Sequence, residues 1–335
     1  MPAKRLARRV SRGVWGRSLL TLTLSFAAAA TAIRTAPAAP LAFEHVLDIG
    51  SAGTGEGQFA YVQDFAFARD GQLLVTDASH AWIQLFDGRT GRYLARFGGR
   101  GGEERNLDKP EGIAVDPAGN IFIGDFNQAC IKAYDVQFNW QRTFGDLGSE
   151  KEQIVKPTFI DIRDGRLYVP DIGTDRINVF DLAGKPLFSF GGLGTTPGKL
   201  ADPAAAKFAS DGRLFVTDQT NNRIEIFDPN GKFLATWGRA GTEPGEFKAP
   251  AGIAFDADDN VYVTEIGNNR VQVFDKAGKL LAMWGRKGSG PGEFANPRGI
   301  MVDKTSGRVF VADTGNNRIQ VFRQVPQTVG VVRAR

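Results

Sequence analysis

The side chains best suited to metal binding and nucleophilic attack are few in this sequence. The 335 residues include two histidines, His45 and His80, and one cysteine, Cys130. Catalytic zinc usually has three protein ligands and structural zinc four, most often histidine and cysteine. Two histidines do not supply a three-histidine site, and no spacing of carboxylates signals calcium. We therefore predict no metal site and no cofactor, with a carboxylate-built calcium site in the central channel as the alternative. A single cysteine predicts no internal disulfide.

Nucleophilic catalysis needs a thiol or hydroxyl beside a base. His80 and Cys130 stand in corresponding turns of two adjacent sequence repeats, so they are candidates for a thiol–imidazole dyad. The alternative is two unrelated replacements on a surface. The glycine-rich string GGRGGEE at 98–104 follows a strand pattern but opens no helix, which excludes a phosphate loop.

Carboxylates and arginines recur together in a repeated phrase. DTGNNRIQVF at 313–322 returns as EIGNNRVQVF from Glu265, DQTNNRIEIF from Asp218 and DIGTDRINVF from Asp171. We expect the acid of each phrase to accept N–H bonds from a tight turn, and the arginine to cross the neighbouring strand and pair with a carboxylate. Recurrence in most repeats favours a structural role for both residues.

The phrase belongs to a longer repeat of 46 to 48 residues. Its frame is marked by one apolar residue in each unit: Phe59, Leu107, Ile154, Leu200, Phe247 and Phe294. Within the unit that begins at Phe247, four short alternating segments (GIAFD, NVYVTE, RVQVFD and KLLAMWG) are separated by turn-forming residues. Four antiparallel strands in a unit of this length predict the blade of a β-propeller.

The two ends of the repeat region complement each other. The sixth unit stops after RIQVFRQ and lacks its outermost strand, whereas residues 43–59 align with residues 231–247. The N-terminal strand therefore completes the last blade, which removes an exposed sheet edge. We predict an all-β, six-bladed propeller over residues 43–324, with a C-terminal tail at 325–335.

These residues also carry a family resemblance. The P-x-G-I strings at 110–113 and 250–253, followed by D-x-x-N-N-R-[IV]-x-[VI]-F, resemble the NHL repeat, and the likeness covers about 43–324. The resemblance implies a six-bladed propeller whose relatives bind protein, RNA or other ligands. One branch, the peptidylglycine amidating lyases, is enzymatic with a zinc on three histidines, which this sequence lacks.

The first 38 residues have the composition of an export signal. They contain seven basic residues, no acid and the apolar run SLLTLTLSFAAAATAI, and end in APA. We predict a cleaved signal peptide at 1–38 and an exported, periplasmic or secreted protein; the alternative is an uncleaved anchor. The remainder has 34 basic and 37 acidic residues. This balance argues against a nucleic-acid partner, and we expect no membrane association after cleavage.

The repeat decays in units one and two, and this decay predicts a binding surface. Trp82 and Cys130 replace the motif arginine, and in unit one Val62 and Asp64, on either side of Gln63, replace the proline and glycine of the P-x-G string. Repeat alignment places the candidate residues on one face of blades six, one and two: Trp82, Phe126, Glu111, Arg298, His80, Cys130, Gln63 and Asp64. The alternative is drift in blades that tolerate poor copies.

Loop lengths point to the kind of surface. Thirteen residues separate each outer-strand aromatic from the next proline, as in Phe97–Pro110 and Trp284–Pro297, so no blade carries an inserted lid. A covered small-molecule site usually needs one, so a flat surface is favoured. We predict a binding or scaffold module for a protein or peptide. The alternative is a lyase- or hydrolase-type enzyme at the channel mouth, with or without a metal.

Overall fold

The described part of the chain is a ring of six blades. The computed structural model describes residues 41–148, 150 and 153–325. Each blade is a four-stranded antiparallel sheet, and each innermost strand contacts the innermost strand of the next blade around the whole ring. The predicted six-bladed propeller is therefore confirmed. The predicted leader and residues 326–335 of the predicted tail lie outside the described residues.

We name the strands of each blade A to D from the channel outward. Blade 1 consists of Val62–Phe67, Gln72–Asp77, Trp82–Asp87 and Tyr93–Gly98. Blade 2 consists of Pro110–Val115, Ile121–Asp125, Cys130–Tyr134 and Trp140–Phe144. Blade 3 consists of Asp161–Arg163, Arg166–Asp171, Arg176–Asp181 and Pro186–Gly191.

The second half of the ring has the same order. Blade 4 consists of Pro203–Phe208, Leu214–Asp218, Arg223–Phe227 and Phe233–Trp237. Blade 5 consists of Pro250–Phe255, Val261–Glu265, Arg270–Phe274 and Leu280–Trp284. Blade 6 consists of Ile300–Val302, Arg308–Asp313, Arg318–Val325 and the N-terminal strand Ala42–Ile49. One 3-10 turn, Thr314–Asn316, and two short parallel pairs complete the elements: Ser51–Ala52 with Gln58–Phe59, and Asp146–Leu147 with Gln153–Ile154.

The N-terminal strand closes the ring as predicted. Ala42–Ile49 pairs antiparallel with Arg318–Val325, from Ala42 opposite Val325 to Ile49 opposite Ile319. Phe43 stacks on Trp284 of blade 5 at 4.3 Å between ring centroids, and Arg318 bonds Asp48 at 3.0 Å. The last blade therefore combines both ends of the propeller, and the N-terminal strand pairs the edge that strand C would otherwise expose.

The apolar residues that mark the repeat pack between blades. All six frame residues are fully buried: Phe59, Leu107, Ile154, Leu200, Phe247 and Phe294. One cluster joins Phe215 and Ile226 of blade 4 to Ile253 and Val263 of blade 5, and similar clusters join the other blades. Alternation within each strand produces this packing, because successive side chains of a strand point to opposite faces of its sheet.

The motif carboxylate at the end of each strand B fixes the D–A loop that leads into strand A of its blade. In blade 4, Oδ1 of Asp218 accepts the N–H of Ala201 at 2.7 Å, and Arg223 donates Nε–H to Oδ2 at 2.7 Å. The same guanidinium donates to the carbonyl of Thr195 at 2.7 Å. Each blade has one such fully buried carboxylate: Asp77, Asp125, Asp171, Asp218, Glu265 and Asp313. The B–C turns and the D–A loops thus share one face, which we call the mouth face.

Among the described residues, no helix has the length and apolar character needed to cross a membrane.

Candidate binding site at the mouth of the channel

A small cavity opens on the mouth face where the central channel ends. We call it the mouth cavity; its volume is about 150 Å³. The residues that give it chemical character are Tyr61, Lys109, Glu111, Phe126, Gln219 and Arg298. The N–H of Phe126 donates to the carbonyl of Lys109 at 2.9 Å, so the B–C turn and the D–A loop of blade 2 are fixed together.

A buried acid and two lysines surround the Phe126 ring. Nζ of Lys109 lies 2.7 Å from Oε1 of Glu111, whose side chain is 5% exposed. The same ammonium stands 3.8 Å from the centroid of Phe126, and Lys156 of blade 3 stands 5.5 Å from it. An ammonium over an aromatic face is an attractive contact, so Phe126 and Lys109 hold each other in place.

Polar atoms without partners mark the other side of the mouth cavity. Arg298 lies 5.7 Å from the centroid of Tyr61, and its Nε is buried without a hydrogen-bond partner among the described residues. Gln63 follows Arg298 in the ring, and its backbone carbonyl accepts the N–H of Gly299. Both amide atoms of Gln63, which does not itself line the cavity, are buried and lack a described partner. Buried polar groups without a partner are rare in proteins.

The predicted surface is only partly assembled around this cavity. Glu111, Phe126 and Arg298 line it, whereas Gln63 does not and only accepts the N–H of Gly299, the residue after Arg298. Trp82 is not among its lining residues, because it begins strand C, which is two strands away from the channel. Trp82 is instead half-buried on blade 1, where its ring packs between His80, stacked at 4.4 Å, and the exposed Arg96, 3.7 Å from its centroid.

His80 has a structural partner. Its Nδ1 lies 2.7 Å from Oδ2 of Asp77, the motif carboxylate of blade 1. In blade 4 the corresponding residue is Asn221, which bonds Asp218 at 2.8 Å. The histidine therefore reproduces a hydrogen bond that the regular repeats make with asparagine.

Cys130 lies in a different depression on blade 2. This depression is lined by Cys130, Lys132, Glu104 and Asp146, and His80 is not part of it. Burial raises the pKa of the Cys130 thiol to about 12, so the thiol is protonated at neutral pH. The geometry does not support the dyad with His80, because each residue has other neighbours.

Asp64 belongs to a second cavity, deeper in the channel, of about 300 Å³. Burial raises the pKa of Asp64 to about 6. Three further charged residues of that cavity, Asp161, Lys207 and Lys304, were missed in the sequence. For Asp161 and Lys207 the available signal was their position: four residues after the proline of the unit, or after Val62 in unit one, the other units carry Ala66, Ala114, Ala254 and Met301.

Three residues of the mouth region were not predicted from the sequence. Tyr61, Lys109 and Lys156 each precede the first strand of their blade, where blades 4 to 6 carry Asp202, Ala249 and Asn296. Within the described residues, no group of three or more histidine, cysteine, aspartate or glutamate side chains is placed to hold a metal ion.

Comparison with known sequences places the chain among propellers. A sequence family described as a 6-bladed beta-propeller matches residues 200–263 and 255–323. A search of the curated proteins found no match.

Solved structures show the same architecture at low sequence identity. Streptogramin B lyase superposes with a TM-score of 0.60 at 16% identity, covering 85% of this chain and 98% of the lyase. An auxiliary nutrient binding protein from Bacteroides thetaiotaomicron superposes with a TM-score of 0.63 at 13% identity, covering 85% and 77%. Hydrazine synthase from Kuenenia stuttgartiensis gives 0.56 at 15% identity, covering 81% and 98%. Proteins with such different functions share the fold alone.

Proposed function

We propose that this protein is an exported, NHL-type propeller that binds a protein or peptide on its mouth face and acts as a binding or scaffold module. The observation that carries the proposal is the mouth cavity. It combines two partly exposed aromatic rings, Tyr61 and Phe126, with Lys109, Glu111 and Arg298. Aromatic residues and arginine are the residue types that most often dominate binding energy at protein interfaces.

The size and setting of the cavity favour a macromolecular partner. A volume of about 150 Å³ is smaller than the ~300–1,000 Å³ typical of small-molecule pockets, and is suited to one anchoring side chain. The D–A loops and B–C turns around the mouth cavity carry polar and charged residues, which are typical of the rim of a protein interface. The orphaned Nε of Arg298 supports a partner that brings a hydrogen-bond acceptor.

Export and family assignment rest on the sequence. The basic, then apolar, then small-residue order of 1–38 supports a cleaved leader, and the P-x-G-I and D-x-x-N-N-R strings support the NHL assignment. N-terminal sequencing of the protein recovered from a periplasmic fraction tests the first point. A start near residue 39 is expected, and a retained leader would contradict cleavage.

Peptide selection tests the binding role. A displayed library of random peptides is selected on the mature protein, and the peptides recovered are titrated against variants. Phe126→Ala and Arg298→Ala should each weaken binding about ten-fold, as removal of an interface anchor does. The matched control is Ile266→Ala, which truncates the equivalent residue of blade 5.

The outcome is decided by comparing binding with melting. Ile266→Ala should bind as the wild type does, and Phe126→Ala should keep its melting temperature. Trp82→Ala should melt early yet bind normally, since its ring packs between His80 and Arg96 and does not line the mouth cavity. Selection of no peptide, or equal binding by Phe126→Ala and wild type, would reject the mouth cavity as the binding site.

A further inference from the structure

The cavity deeper in the channel, which we call the channel cavity, has no role in the proposal above. The inner strands of all six blades form its walls. Four charged residues line it: Asp64, Asp161, Lys207 and Lys304. Lys304 is exposed and lies in the A–B turn of blade 6, so the channel cavity opens on the face opposite the mouth face.

Charges at these positions are not explained by the repeat. Asp161 and Lys207 occupy a position that is alanine in blades 1, 2 and 5. Asp64 stands where blades 2, 5 and 6 carry glycine, and it is 3% exposed. Asp64 is buried, and Asp161 and Lys207 are half-buried. Charges withdrawn from water are costly unless they are paired and hydrogen-bonded.

The charges do not neutralise one another by direct contact. Oδ2 of Asp64 accepts the N–H of Ile113 at 3.3 Å, and Oδ2 of Asp161 accepts the N–H of Phe208 at 3.0 Å. The Lys207 ammonium donates to the carbonyl of Ile160 at 2.7 Å. Within the described part of the chain, neither carboxylate forms an ion pair with a cationic side chain.

The three groups nevertheless influence one another. Burial is the main cause that raises the pKa of Asp64 and of Asp161, and the Lys207 charge opposes it at both. The charge of Asp161 raises the pKa of Asp64 further. Inside the cavity, the two carboxylates and the Lys207 ammonium carry one negative charge in excess when both acids are ionised, because the second lysine, Lys304, lies at the exposed rim.

We propose that the channel cavity binds a small organic ammonium compound with an apolar body. The ammonium group supplies the missing positive charge between Asp64 and Asp161, where it can donate to carboxylate oxygens that lack a side-chain partner. The apolar body lies against the wall formed by residues such as Phe65, Ile253 and Met301. The channel cavity has a volume of about 300 Å³, which is at the lower end of the range for small-molecule binding sites.

The proposal also predicts the pH dependence of binding. The ligand needs Asp64 ionised, and this acid ionises at about pH 6 in the empty channel cavity. Binding should therefore be about ten-fold weaker near pH 5 than near pH 7.5, because protons compete for the carboxylate. Asp161 and Lys207 are the charged side chains that act on the pKa of Asp64, and Lys304 lies at the exposed rim of the same cavity.

Calorimetric titration with three probes of similar size tests the proposal. Isopentylamine carries the cation alone, leucine carries a cation and a carboxylate, and isovalerate carries the anion alone. At least one of the two amines should bind at millimolar concentration and isovalerate should not. If leucine binds more strongly, its carboxylate pairs with Lys304 at the rim and the ligand is an amino acid. If isopentylamine binds more strongly, the ligand is an amine without a carboxylate.

Variants distinguish loss of the proposed site from loss of folding or from a change in net charge. Asp64→Asn and Asp161→Asn should each weaken amine binding at least ten-fold near pH 7.5, with folding verified by thermal melting. Asp70→Asn is the control, because it makes the same change at an exposed position of blade 1. Absence of binding by both amines, tighter binding of isovalerate, or unchanged affinity in Asp64→Asn would each overturn the proposal. Phe126→Ala should leave amine binding unchanged, so the two proposals fail independently.

Discussion

The imidazole of His80 and the carboxylate of Asp77 lie 2.7 Å apart, in the place where Asn221 bonds Asp218 at 2.8 Å in blade 4. Blade 1 thus has a histidine where blade 4 has an asparagine, and the hydrogen bond to the motif carboxylate is kept. Asp77 is fully buried and also accepts the N–H groups of Ala60 and Tyr61. The bond to His80 is one of several that stabilise the carboxylate.

Restoring asparagine at this position should change little. We expect His80→Asn to alter the free energy of unfolding by less than about 0.5 kcal/mol, and His80→Ala to lower it by about 1.5 kcal/mol or more, since a buried acid then loses a partner. Urea unfolding of both variants measures the difference. Equal stability of the alanine and asparagine variants would show that the bond contributes nothing.

Removal of residues 43–50 should open the propeller. The deletion takes away the strand that pairs with Arg318–Val325 and the stacking of Phe43 on Trp284. An unpaired, partly apolar edge favours aggregation, so we expect a lower melting temperature and loss of monomer on size exclusion. Unchanged melting of the deletion variant would contradict closure by this strand.

A circular permutant provides the control for this deletion. Ala42 and Val325 are paired in the register, so a short glycine linker can join these ends while new termini open in the turn at Asn230. This permutant keeps all six complete blades and should melt close to the wild type. Its failure to fold would mean that sequence order, rather than the missing strand, explains the deletion.

The B–C turns contain a left-handed residue whose identity should set stability. Asn269 has φ of 53°, and its Oδ1 accepts the N–H of Asn296 of the next blade at 2.9 Å. Ala129, at the same position in blade 2, also has φ of 53° but has no side chain to bond. Asparagine tolerates this conformation better than alanine does.

The two positions give opposite expectations. Asn269→Ala should lower the free energy of unfolding by about 1–2 kcal/mol, since it adds strain and loses a hydrogen bond. Ala129→Gly should raise it by up to about 1 kcal/mol, because glycine removes the strain. Denaturant midpoints of the two variants check this, and a stabilised Asn269→Ala protein would refute the explanation.

The thiol of Cys130 should be unreactive in the folded protein. Burial raises its pKa to about 12, so almost none of the nucleophilic thiolate exists at neutral pH. Labelling with an aromatic disulfide reagent should be slow in buffer and fast in urea. Rapid labelling of the native protein, at the rate of a free thiol, would return Cys130 to the list of candidate nucleophiles.

The repeat allowed much of the fold to be predicted because its apolar and turn residues act locally. The spacing of Phe247 and Phe294 located the blades, and both side chains are fully buried between them. The distance of a side chain from the channel could not be predicted in the same way. Trp82 and Phe126 are on the same face, but only Phe126 is close to the strand A residues that surround the mouth cavity.

Substitutions could be recognised in the sequence, but their partners could not. Lys109 was not identified, because its importance arises from contacts with Glu111 and Phe126 that depend on side-chain direction. Asp161 and Lys207 are in different blades and 46 residues apart, one repeat, so only ring closure at a common level brings them to one cavity. Repeat alignment shows that Asp161 and Lys207 occupy the same position in their units. Two charged residues at an inner-strand position that is otherwise apolar are the signal that was overlooked.

The ionisation of Asp64 should make the protein less stable as the pH rises. Its pKa is about 6 in the folded protein and 3.8 in an unperturbed side chain, so between these values the folded state binds a proton that the unfolded state has released. This contribution to stability is present at low pH and is lost as the pH rises from about 4 to 6. Above that range, the ionised acid costs up to about 3 kcal/mol.

Asp64→Asn should remove this cost, because an amide is neutral at every pH. We expect the variant to melt several degrees above the wild type near pH 7.5 and equally near pH 4, whereas Asp70→Asn should follow the wild type at both. Scanning calorimetry across this range gives the comparison. If Asp64→Asn melts below the wild type near pH 7.5, the hydrogen bond from Ile113 to the carboxylate outweighs the effect of burial, and Asp64 is a structural residue of the channel.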